Sequence, residues 1–139
     1  MAKRIADFDH EGSEAFAKSR AARLVHQPKR KADIVAMAQA AMASLMPAAH
    51  AQAVHALAQG DLIAAASRIM HPVLIIAGAD DVITPFAGTE RLFATLRARP
   101  RQSGTREAMH VIGDAGHAVF LEAASDVAAA AQAFCGEAP

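Results

Sequence analysis

The run Pro72-Val73-Leu74-Ile75-Ile76-Ala77-Gly78 constrains the fold more than any other stretch of the chain. Four consecutive large apolar residues, bounded by proline and glycine and rich in β-branching, read as a strand buried on both faces. A second apolar run, Met109 to Ile112, follows a helical stretch through Leu92, Phe93 and Leu96, and a last helix is expected from about Ser125 to Cys135. Parallel neighbours need a crossover of a dozen or more residues, which the intervening helix supplies. The expected fold is therefore α/β, closing in a β-α-β-α unit with two parallel strands. Thr84 reads as an N-cap with Pro85 at the first helical position, and Gly136 as the final C-cap.

The segment before this unit has a different character. From Ser13 to about Ala66 the pattern predicts four short helices, with Ser13, Asp33 and Asp61 as N-caps and Pro28, Pro47 and Gly60 as punctuation. Inner stripes are predicted at Ile34, Met37, Ala41 and Leu45, then at Val54, Leu57 and Ala58, and in the last helix at Val127, Ala130, Ala131 and Phe134. The chain thus divides into a helical region, 1–70, and a β-α-β-α region, 71–139. Aromatic residues make up 4% of the chain, with no Trp or Tyr. The apolar share rests largely on alanine, so a thin core is expected.

A formal net charge of +0 removes the electrostatic argument for a nucleic-acid or anionic-membrane partner. The cluster Lys29-Arg30-Lys31, with Arg20 and Arg23, reads as a solvated face, as do Arg97, Arg99, Arg101 and Arg106 around Pro100 and Gly104. The single cysteine, Cys135, has no internal disulfide partner. No apolar run approaches the roughly 20 residues of a membrane span, and nothing in MAKRIADFDHEG reads as a signal peptide. A soluble cytoplasmic protein is expected. Histidines 10, 26, 50, 55, 71 and 110 lack the spacing of a zinc site, so no metal is expected.

The chemistry-bearing residues stand at the two strand ends. The first run opens into Asp80-Asp81 and the second, through Gly113-Asp114-Ala115-Gly116, into His117. In parallel sheets, ligand sites form at the carboxyl ends of strands, so a carboxylate and an imidazole from two such ends can meet. Either aspartate suits this role on position alone. No G-x-S-x-G occurs in the sequence, and none of its serines lies on a strand-to-helix turn.

These two strand-end motifs resemble those of the α/β-hydrolase family, in the branch of 3-oxoadipate enol-lactonases and haloperoxidase-type esterases. Gly78, Asp81 and Pro85 match G-x-x-D-x-x-x-P after a strand, and Gly116-His117 with Glu122 matches the G-H and apolar-glutamate pattern. The resemblance covers nearly everything after Gly12 and implies the C-terminal portion of that fold: cap-like helices, then the acid and histidine strands. It implies Asp81 as the catalytic acid and His117 as the base of a Ser-His-Asp site acting on small carboxylic esters or lactones, with no cofactor. The nucleophile would come from a missing N-terminal half. The alternative is a non-catalytic interaction module or relic of the fold, self-associating through the open strand edge of Val73 to Ile76.

Overall fold

A computed structural model describes residues 2–100 and 105–136, so the arginine and glycine expected in a surface loop at 101 and 104 lie outside the described residues. The chain divides at Gly60 and Asp61 into two compact units.

The first unit is helical: α1 (Ala2–Arg20), a 3-10 turn (Ala21–Leu24), α2 (Ala32–Ala43) and α3 (Pro47–Gln59). Helix α1 is two helices joined at Gly12, whose φ of 77° only glycine adopts without strain. The expected start at Ser13 is therefore the second half of α1, and a preceding helix from Ala2 was not anticipated. That extra helix is held by Phe8, whose ring stacks on His50 at 4.2 Å and meets Phe16 edge-on at 4.9 Å. A Lys3–Asp7 pair at 2.7 Å, one turn apart, adds a small local contribution.

The helix faces differ from the expected stripes. Ala38 is the buried residue of α2, while Met37 is 53% exposed. In α3 the inner pair is His50 and Val54, and Leu57 is 65% exposed. In α3 the stacking of His50 on Phe8 fixes the face and in α2 packing on α1 does, and alanine-rich helices offer little apolar contrast to reveal either. Asp33 sits in the first turn of α2, with Lys31 at the cap position. Pro47 opens α3 as its missing N–H allows.

The second unit holds α4 (Leu62–Ala66), β1 (Val73–Gly78), α5 (Phe86–Ala98), β2 (Glu107–Ile112), α6 (Val119–Glu122) and α7 (Ala124–Gly136). Asp61 caps α4, accepting from the Ala64 N–H at 3.0 Å. Helix α4, within the helical region 1–70, packs on α5 and so groups with this unit. The strands pair in parallel, in register from Val73 with Glu107 to Gly78 with Ile112. Helices α5 and α7 each lie against both strands, and Val127, Ala130, Ala131 and Phe134 of α7 are half-buried as the stripe predicts.

Three expectations change here. Val73 to Ala77 are half-buried rather than buried, because each strand has one neighbour and an outer edge without one. Pro85, not Thr84, occupies the cap position of α5, and Thr84 is drawn into the loop before it. Arg99, expected on the surface, is buried at the end of α5. Among the described residues, Leu96 alone of the largest fully buried side chains belongs to this unit, so its core is thin. Among the described residues no single helix is long and apolar enough to cross a membrane.

Candidate active site

The ends of β1 and β2 are locked together by backbone. The Ala79 N–H donates to the Ile112 carbonyl at 2.8 Å, and the Asp80 N–H to the Ala115 carbonyl at 2.9 Å. Asp114 takes a left-handed φ of 53°, which Asp tolerates, and turns the chain back toward β1. Gly78 makes the close approach possible: a Cβ there would collide with the Ala115 and Gly116 carbonyl oxygens. This contact explains the glycine of the strand-end motif in steric terms.

Asp81 follows in the loop after β1. Its Oδ1 accepts from the Ile83 N–H at 2.7 Å and the Thr84 N–H at 2.9 Å, an Asx-type turn that fixes the carboxylate. That leaves Oδ2, which accepts from His117 Nδ1 at 2.9 Å. The pair is 36 residues apart in sequence yet in direct contact. Asp80, the other candidate, is exposed, and its N–H is engaged by Ala115.

A neutral imidazole that donates from Nδ1 presents an unprotonated Nε2. Among the described residues Nε2 has no hydrogen-bond partner, and the His117 side chain is 41% exposed against 13% for Asp81. The arrangement thus offers a general base at Nε2, with a carboxylate behind it to hold the tautomer and stabilise the imidazolium. The Thr84 hydroxyl lies 3.4 Å from Nδ1, a long contact on the carboxylate side of the ring and not at the basic nitrogen. Val82, which follows Asp81, and Phe120, three residues after His117, are large apolar side chains left largely exposed.

Burial pushes the Asp81 carboxyl up, but the Thr84 N–H, His117 and the Ile83 N–H together outweigh it and hold the group below its ordinary 3.8. A carboxyl depressed in the folded state stabilises the fold above the unfolded value, and that stability is lost as pH falls through the folded value. Acid unfolding followed by circular dichroism below about pH 4 should therefore soften in Asp81→Asn. An acid transition of unchanged steepness in that variant would contradict the expectation.

Two contacts escaped sequence reasoning. Glu122 Oε1 accepts from the Gly116 N–H at 2.7 Å, and Thr84 contributes its N–H to Asp81. The motif pattern contains the glutamate but carries no hint of its partner.

No known family profile and no curated protein sequence matches the chain. Solved structures do. The enol-lactonase from Burkholderia xenovorans LB400 is similar over 98% of this chain and 50% of its own, with a TM-score of 0.78 at 22% identity. A thermophilic esterase from Thermogutta terrifontis is similar over 96% of this chain and 48% of its own, with a TM-score of 0.78 at 22% identity. An alpha/beta hydrolase from a Medee basin deep-sea metagenome library follows at 17% identity, with a TM-score of 0.67 over 97% and 49%. The chain has a partial α/β-hydrolase fold that fits the C-terminal portion, and it spans about half the length of these structures.

Proposed function

We propose that this chain is the acid–base half of an α/β-fold hydrolase, cytoplasmic and free of metal or organic cofactor, that cleaves small carboxylic esters or lactones by a Ser-His-Asp mechanism. The observation that carries this reading is the hydrogen bond between His117 Nδ1 and Asp81 Oδ2 at the paired strand ends. The names of two fold neighbours, an enol-lactonase and an esterase, support the substrate class.

In this reading His117 Nε2 takes the proton from a serine hydroxyl as it attacks the acyl carbon, then returns it to the leaving oxygen. Asp81 holds the ring and stabilises its charged form. The serine and the oxyanion-hole donors come from polypeptide outside this sequence, which itself holds no G-x-S-x-G turn. Such a polypeptide adds its strands to the edge of β1, where apolar residues Val73 to Ala77 stand half-buried.

Purified chain alone should show no saturable hydrolysis of p-nitrophenyl acetate. Co-expressed with a polypeptide from the adjoining reading frame that carries the elbow, it should turn the ester over, and His117→Ala should abolish this by a factor on the order of 10⁶. Turnover undiminished in His117→Ala would overturn the reading. A second reading, self-association through the same open strands, is favoured if gel filtration gives a dilution-resistant dimer that no complement disperses.

A further inference from the structure

We propose that Glu122 is a positioning residue: by accepting the Gly116 N–H it closes the chain on either side of His117 and holds the imidazole on Asp81 rather than on Thr84. The inference rests on the Asp81–His117 reading above and extends it to a residue that touches neither reacting group.

The turn that delivers His117 is restrained from two directions. From the β1 side, Asp80 donates to the Ala115 carbonyl, and the bare Cα of Gly78 packs against the Ala115 and Gly116 carbonyls. From the His117 side, the carboxylate of Glu122 reaches back from the end of α6 to the N–H of Gly116, a buried residue. Helix α6 is itself short, secured by the Leu121 and Glu122 N–H groups on the Ala118 carbonyl. His117 thus lies inside a loop whose two ends, six positions apart in sequence, are tied by one charge-assisted bond.

The competing acceptor is what gives this tie a consequence. Nδ1 is 2.9 Å from the Asp81 carboxylate and 3.4 Å from the Thr84 hydroxyl. A displacement of a few tenths of an ångström separates a strong bond to the carboxylate from a shared or switched one. Without Glu122 the buried Gly116 N–H loses its acceptor, and the segment that carries the ring is restrained from the β1 side alone.

The test is made on the full chain by NMR and reads the pair itself, with no turnover involved. In the wild type the Gly116 amide should exchange slowly and the Asp81 carboxyl should titrate below its ordinary range. Glu122→Ala should speed Gly116 exchange by about 10- to 100-fold and raise the Asp81 midpoint as far as His117→Ala does. Glu122→Gln keeps an oxygen acceptor at the same reach and should leave the Asp81 midpoint in place. An unprotected Gly116 amide in the wild type overturns the proposal whether or not Glu122→Ala folds. So does a raised midpoint in Glu122→Gln, or an unmoved one in folded Glu122→Ala. A complemented enzyme without esterase activity but with these signatures intact would fell the hydrolase reading and leave the role of Glu122 standing.

Discussion

Arg99→Met is expected to destabilise the chain by about 3–5 kcal/mol, read as a lowered urea midpoint with the second unit's signals lost first. The Arg99 side chain is 1% exposed. One guanidinium nitrogen donates to the Ile69 carbonyl at 2.8 Å, another to the Arg106 carbonyl at 3.0 Å, and the latter also lies 3.6 Å from Glu107 Oε2. A single planar group therefore ties the segment entering β1 to the residues entering β2, which suits the fork geometry of arginine and not the point charge of lysine. Most of the cost comes from what is left behind: two carbonyls without this donor and a Glu107 side chain only 8% exposed without its nearby cation. For that reason Arg99→Met combined with Glu107→Met should recover part of the loss, because an apolar pair of similar volume removes the buried carboxylate that had faced Arg99. A single variant as stable as the wild type would show the arginine to be a passenger.

Arg99 also marks where sequence reasoning fails. Four arginines near Pro100 read as a solvated surface, since charge is the best single indicator of exposure. The acceptors that overturn this for Arg99 are backbone carbonyls contributed by residues 30 and 7 positions away, and backbone acceptors leave no trace in a sequence. Arg106 departs for a different reason: it is half-buried, with its guanidinium resting 4.1 Å from the Phe134 ring centre.

The β-α-β-α unit was legible because Pro72, the apolar run and Gly78 each point to the same strand, and the second run repeats the signal. The helical region was legible as helical but not in its faces. With alanine at most positions a stripe drawn on one side of α2 or α3 is nearly as apolar as one drawn on another. In α3 the decision was made by a tertiary cluster, Phe8 and Phe16 from the two halves of α1 with His50 of α3, and in α2 by packing on α1. The first half of α1 depends on that cluster too, and a lone Phe8 in a polar stretch gives no periodicity to read.

The candidate site divides along the same line. Asp81 and His117 were legible since each ends a strand, and parallel strands deliver their carboxyl ends to one place. Position alone left Asp80 and Asp81 equivalent; Asp81 was what the family resemblance implied, and the Asx turn that engages Oδ1 and frees Oδ2 puts that carboxylate on His117. The Gly116–Glu122 bond and the Thr84 contact were not legible, because they depend on how two loops settle against each other.

Gly78→Ala should do more damage than a methyl group ordinarily does, and it should do it at the site. Overpacking a filled position costs about 1–3 kcal/mol, and more where the obstacle cannot move. Here the obstacles are the backbone carbonyls of Ala115 and Gly116, not flexible side-chain ends. The Ala115 carbonyl is also the acceptor for the Asp80 N–H, so shifting it breaks one of the two backbone bonds that join the strand ends. His117 follows that turn directly, and Asp81 is held from the β1 side, so the displacement opens the 2.9 Å contact between them. The expected outcome is a stability loss of about 3 kcal/mol together with a rise of the Asp81 titration toward its ordinary range. Gly113→Ala is the matched control: it lies in the same turn, yet a Cβ there meets nothing within 4 Å. If both alanine variants unfold at the same urea concentration, steric contact between the two strand ends is not what requires glycine at position 78.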